Sequence, residues 1–196
     1  MATKAVTKTT QKAILPSAKQ VTKEAAQAGS AVGVSPATKR IAVVRIRGIN
    51  DVRPEVRSTL DMMNLRRINN LTFLDNRPAY LGMLQKGKDL ITWGEPTENT
   101  IASILAKWGR TPGDNVLTDE YVAKNSTFKS IEEFAKNFIQ MKAEIKDIKD
   151  LKSFFRLHPP KHGYRGKGSK FAFHANGALG YRGEEIDELI IRMSGL

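Results

Sequence analysis

The strongest constraint in this chain is a change of hydrophobic period that repeats between Arg40 and Glu95. The stretch IAVVRIRG is rich in β-branched residues and predicts a strand, Ile41 to Arg47. Its alternation places Val44 and Ile46 on one face and Arg45 and Arg47 on the other. DVRPEVRSTLDMMN then predicts a helix. Pro54 falls in its first turn, where a missing N–H costs nothing, and Val56, Leu60 and Met63 form an apolar stripe at helical spacing, with Arg53 and Arg57 off it. Leu71 to Leu74 predicts a second strand, Leu81 to Lys86 a short helix, and Leu90 to Trp93 a third strand. The order strand, helix, strand, helix, strand implies two helices packed on a three-stranded sheet.

After Pro96 the period of two disappears. TENTIASILAKWGR aligns Ile101, Ile104, Leu105 and Trp108 on one helical face. TDEYVAKN predicts a second helix, and KSIEEFAKNFIQMKA a third that starts from Ser130 with Phe134, Phe138 and Met141 inward; Asp147 to Leu151 is a further turn. EEIDELIIRM closes the chain as a helix with Ile186, Leu189 and Ile190 on one side. The expected organisation is a basic tail over 1–39, a βαβαβ core over 40–95, a helical extension over 96–150, and a basic glycine-rich arm with a closing helix over 151–196. At 40% hydrophobic, 196 residues are enough to bury a sizeable core. No apolar run approaches the ~20 residues of a membrane span, and the N-terminus lacks an apolar segment of signal-peptide length, so no membrane partner and no secretion are expected. The absence of cysteine excludes disulfides, cysteine-ligated zinc and a thiol nucleophile.

The net charge is +12, and a field of that sign attracts polyanions, with nucleic acid the usual partner. The surplus is uneven. Residues 1–40 hold seven basic residues and one acid, Glu24. Lys4, Lys8, Lys12, Lys19 and Lys23 recur at about every fourth position, a spacing that would align them on one helical face once RNA phosphates neutralise them. In water alone such a segment has little to bury and is expected to stay unfolded.

The second basic region, Leu151 to Gly183, contains no acid at all. Its histidines do not read as a metal site. His158 and His162 are four apart, but Pro159 and Pro160 lie between them and break a regular helical face. No carboxylate stands nearby as a further ligand. A phosphate-cradling loop also fails on detail. Gly163 and Gly168 are five apart, yet Ser169 precedes Lys170 where a P-loop needs the reverse order. There is no nucleophile elbow, and the pairs Glu132–Glu133 and Glu184–Glu185 fall near helix starts, where acids favour the helix dipole. No cofactor, no metal and no catalysis are expected. Lys152, Arg156, Lys161, Arg165, Lys167, Lys170 and Arg182 remain as cations for phosphates, on a glycine-jointed arm that lets the backbone approach them. Tyr164, Phe171, Phe173 and Tyr181 either stack on bases or pack into the fold. The competing reading is a small enzyme that acts on phosphate compounds through the Gly163–Lys170 loop.

Several short motifs in order carry a more specific signal. RIRG, R-x-TL followed by LRRIN, P-x-x-x-GMLQK and KDLITWGE resemble the large-ribosomal-subunit protein family called protein thirty in bacteria and archaea and protein seven in eukaryotes. FRLHPPKHGYRGKG and GALGYRG, followed by a helix ending in IIRM, resemble its longer archaeal form. The resemblance covers residues 40–196. It implies an α+β fold with a βαβαβ ferredoxin-like core, a helical C-terminal extension and a basic N-terminal tail, acting structurally in the cytoplasmic ribosome. The implied partners are large-subunit rRNA, with the small 5S-type rRNA as an alternative contact, and neighbouring ribosomal proteins; no homo-oligomer is expected. Carried over by position, the rRNA-binding residues are Arg47, Arg57, Arg66, Arg67, Asn69, Met83, Lys86 and Lys88, with Lys161 to Lys170 as a second contact region. Two positions depart from the pattern. Leu81 stands where arginine is common, which removes a phosphate contact, and Gly87 stands where a branched apolar residue is common, which loosens the turn into the third strand.

Overall fold

The computed structural model describes residues 39–50, 52–164 and 166–195. The tail lysines and Arg165 lie outside the described residues. Strand β1 (Arg40–Arg45) is central, with β2 (Asn70–Asp75) and β3 (Ile91–Gly94) antiparallel on either side. Helix α1 (Pro54–Met62) links β1 to β2, and α2 (Pro78–Gly87) links β2 to β3. Each of these helices carries its proline at the start, where the first N–H groups have no partner in the helix. This is the ferredoxin-like βαβαβ core that the periodicity and the resemblance imply.

The sheet has five strands rather than the expected three. Two-residue strands from the C-terminal region add to both edges: β4 (Phe155–Arg156) lies antiparallel to β2, and β5 (Gly180–Tyr181) lies parallel to β3, giving the order β4-β2-β1-β3-β5. A two-residue strand has no period to read, so neither edge is visible in the sequence.

Helices cover both faces of the sheet. On one face Ile41, Val43 and Ile91 pack with Leu60, Met63 and Leu84 from α1 and α2. On the other, Ala42, Val44, Leu71 and Phe73 meet the extension, formed by α3 (Glu98–Trp108), α4 (Asp119–Asn125), α5 (Ile131–Ile139) and α6 (Ile186–Ser194). All six residues of β1 are therefore buried. The strand stops at Arg45, two residues short of the expected Arg47; Arg45 shares the face of Ile41 and Val43 and is buried there, its guanidinium meeting the Leu65 and Arg66 carbonyls that follow α1.

The extension is capped as its residue types suggest. Ser130 Oγ accepts the Glu133 N–H at the start of α5, and Thr118 Oγ1 accepts the Tyr121 N–H at the start of α4. Glu132 and Glu133 occupy the first turn of α5. Phe134 and Phe138 point inward as expected, but α5 ends at Ile139, and Met141 lies beyond it with φ 61°. The following 3₁₀ turn spans Ile145–Asp147, ahead of the expected Asp147–Leu151. Gly87 sits inside α2 with Ile91 Cδ1 3.3 Å from the place its Cβ would take, so a neighbouring core side chain already fills that space.

Candidate nucleic-acid interface

Three loops meet at one end of the central sheet. The first leaves β1 after Arg45. The N–H groups of Ile46 and Arg47 both donate to Leu90 O, at 2.9 and 3.1 Å, which ties this loop to the turn between α2 and β3. Arg47 Nη1 adds a 3.4 Å contact to Asp89 O. The third loop, 63–69, leaves α1 through Asn64 in the left-handed region (φ 60°) and enters β2 through Asn69, also left-handed (φ 62°). Asparagine tolerates that conformation better than most residues. Asn69 N–H donates to Arg45 O at 2.8 Å.

Arg45 binds two of these loops together. Only 1% of it is exposed. Its Nε donates to Arg47 O at 2.9 Å, and its Nη1 donates to Leu65 O at 2.6 Å and to Arg66 O at 3.0 Å. Its Nη2 is buried and has no hydrogen-bond partner among the described residues. Burial holds this guanidinium below its ordinary pKa; Asp61 acts in the opposite sense, and Arg57 adds like-charge repulsion.

Above Arg45 lies an open cleft of about 760 Å³. Arg47, Arg66 and Arg67 line it, and all three are exposed. Ile68 lines it as well and is 48% exposed. The arrangement is a cationic rim, an apolar patch and a buried positive charge beneath. Such a surface has the charge to take up a polyanion, whose counterions would be released. Arg57, Lys86 and Lys88 are exposed on the helices and turn that bound this end of the fold. Arg156 is exposed on β4, where pairing sets it opposite Asn70, and its guanidinium lies 5.5 Å from the Phe154 ring centre.

Some sequence-assigned residues play another part. Met83 is half-buried against the core under α1 and α2. Leu81, the departure from the arginine pattern, packs against the same core. Asn69 works through its backbone, and its side-chain Oδ1 is buried without a partner among the described residues. Arg182 is the clear correction. It is only 6% exposed, donates from Nη2 to Ala178 O at 3.0 Å, and stacks 4.6 Å from the Phe173 ring centre. Its guanidinium is committed inside the fold, holding the 178–182 segment beside β3. Arg182→Ala should cost roughly 1–3 kcal/mol through the carbonyl left without a donor. The same variant should leave the salt slope of RNA binding unchanged; a shallower slope at wild-type stability would put this arginine on RNA instead.

The glycine-rich arm is anchored at its base, where His158 N–H and Lys161 N–H donate to Met193 O and Arg192 O at the end of α6. Lys161, Lys167 and Lys170 are exposed along it, and Lys167 Nζ lies 5.7 Å from the Phe171 ring centre. Gly166 must be glycine: its φ is 62°, and a Cβ would stand 2.2 Å from Asn176 O. The element after this loop is a three-residue 3₁₀ turn, Phe173–Ala175, and not the long helix whose N-terminus a P-loop needs. The histidines separate. His158 lies edge-to-face with Trp108 at 4.9 Å, while His162 and His174 are exposed on the arm. No group of three or more potential metal ligands occurs among the described residues.

Sequence reasoning missed Arg45 and Ile68 as members of the cleft. Arg45 was hidden because the carbonyls that hold its guanidinium, Leu65 and Arg66, stand 20 and 21 positions away. Ile68 had a visible signal, as a lone apolar residue between Arg67 and Asn69 in a stretch of polar character.

The family profile described as ribosomal protein L30p/L7e matches residues 41–91. Several proteins named large ribosomal subunit protein uL30 are similar over most of the chain. That of Methanopyrus kandleri is 47% identical over 148 residues, 76% of this chain and 99% of the relative. That of Nanoarchaeum equitans is 46% identical over 151 residues, 77% of this chain and 96% of the relative. That of Archaeoglobus fulgidus is 43% identical over 152 residues, 78% of this chain and 98% of the relative.

Proposed function

The chain belongs to the ribosomal protein L30p/L7e family, and from that membership we propose that it is a structural constituent of the large ribosomal subunit. It binds large-subunit rRNA in the cytoplasm, beside neighbouring ribosomal proteins, and supports translation by helping rRNA fold and the subunit assemble. Its role is structural and not catalytic. The observation that carries the placement of the RNA is the convergence of Arg47, Arg66 and Arg67 on one cleft, with Arg45 locking two of its loops.

Each exposed cation there neutralises a phosphate and releases counterions, while the rigid end of the sheet supplies the shape that RNA recognition depends on. Lys86 and Lys88 beside the cleft, Arg156 on the edge strand, and Lys161, Lys167 and Lys170 on the arm extend the cationic surface. The tail lysines add charge from outside the described residues.

Binding of the purified protein to large-subunit rRNA, and separately to 5S-type rRNA, at several salt concentrations tests this reading. A steep fall of affinity with salt is expected. Arg66→Ala combined with Arg67→Ala should flatten the slope of log K against log salt by about 1.5, at close to 0.7–0.9 per lost contact, without changing the melting temperature. Affinity that ignores salt, or an unchanged slope in the double variant, would remove rRNA from this face.

A further inference from the structure

We infer that the cleft seats a single extruded nucleotide from an RNA bulge or loop, and not the continuous backbone of a duplex; this rests on the rRNA-binding reading. Three observations point there. The first is shape. The cleft is an open depression of about 760 Å³, a volume within the range of small-ligand sites. An A-form duplex offers a convex surface of phosphates and 2′-hydroxyls, with base faces hidden in the stack, and would bridge such a depression without filling it.

The second is composition. A phosphate backbone needs only the cationic rim of Arg47, Arg66 and Arg67. Ile68 is an exposed isoleucine set among these arginines, where it interrupts the hydrogen-bonding surface a backbone would use. Its apolar surface is removed from water by a flat, weakly hydrated partner, and the face of an unstacked base has that character. The guanidinium planes at the rim can stack on such a base or hold its phosphate. Asn50, also on the cleft and exposed, carries an amide that can donate to and accept from a base edge.

The third is charge beneath the surface. Arg45 keeps a buried Nη2 without a partner among the described residues, and its positive charge cannot move away because its other nitrogens are held by three carbonyls. A fixed charge under a partly apolar seat favours the phosphate or carbonyl-bearing edge of one nucleotide entering from above.

The test uses the full chain and two RNA hairpins with the same stem. One is fully paired, and the other carries a single bulged 2-aminopurine. The bulged hairpin should bind about tenfold tighter, as one stacked base accounts for, and its fluorescence should change on binding. Ile68→Ser, at an exposed position, should bring the bulged hairpin to the affinity of the paired one with an unchanged melting curve. Equal affinity for the two hairpins, with steep salt dependence retained and Ile68→Ser silent, would overturn the seat and leave rRNA binding standing. Absence of salt-dependent binding to either hairpin and to large-subunit rRNA would overturn both.

Discussion

Replacing Arg40 by Ala should destabilise the protein by about 3–5 kcal/mol, the range for removing one partner of a buried ion pair. Arg40 opens β1, yet its side chain is buried and reaches across to the extension. It pairs with Asp75 on β2. Its Nε donates to Phe138 O at 3.0 Å and its Nη2 to Ala143 O at 2.6 Å, at and beyond the C-terminal end of α5. The guanidinium also lies 4.2 Å from the Phe138 ring centre. Alanine would leave two carbonyls and the Asp75 carboxylate short of donors. Asp75 keeps one partner, since Arg77 Nη2 lies 2.8 Å from its other oxygen, and this bounds the loss. Urea unfolding gives the magnitude. The pair Arg40→Ala with Asp75→Ala should cost less than the sum of the two single changes, because the double variant removes both charges. A loss below about 1 kcal/mol, or strict additivity, would mean that Arg40 does not tie the sheet to the extension.

Gly94→Ala should cost about 3 kcal/mol, at the upper end of ordinary overpacking. A Cβ at Gly94 would stand 2.1 Å from Gly183 O and 2.9 Å from Ile186 Cβ. The obstacle is backbone, and that carbonyl already accepts the Glu95 N–H at 3.3 Å, so it cannot turn aside freely. The start of α6 would have to lift from the end of β3. Gly82→Ala is the matched control. Gly82 lies within α2 with nothing within 4 Å of its Cβ position, so alanine there should stabilise by about 0.5–1 kcal/mol through helix propensity alone. Thermal melts of the two variants should move in opposite directions. Equal shifts would show that packing against Gly183 is not what requires glycine at position 94.

These two residues show how far the sequence could be read. The glycine of KDLITWGE is part of a recognisable motif, but nothing near it in sequence says what lies against it. Its reason is a carbonyl 89 positions further on. Arg40 likewise reads as a basic residue at the start of a strand, one more cation of a surplus. Its buried partners are 35, 98 and 103 positions away. Arg182 is the same case in reverse. A position in a long acid-free run assigns it to RNA, and only the fold turns its guanidinium toward Ala178 and Phe173.

The sequence by itself determined the elements and the class of partner. Hydrophobic period, proline at helix starts and β-branched runs act over a few residues, so they fix β1, α1, β2, α2 and β3 locally. Charge sums without regard to geometry, so +12 points to a polyanion before any fold is known. Ordered motifs specify the family. The tertiary structure alone decided which cations are free. It folded distant segments over Arg40, Arg45 and Arg182, which buried them, and left Arg47, Arg66 and Arg67 around one cleft. The physical reason is that burial and hydrogen-bond partnership depend on residues distant in the chain, and a guanidinium whose donors are spent on carbonyls has little left to give to RNA.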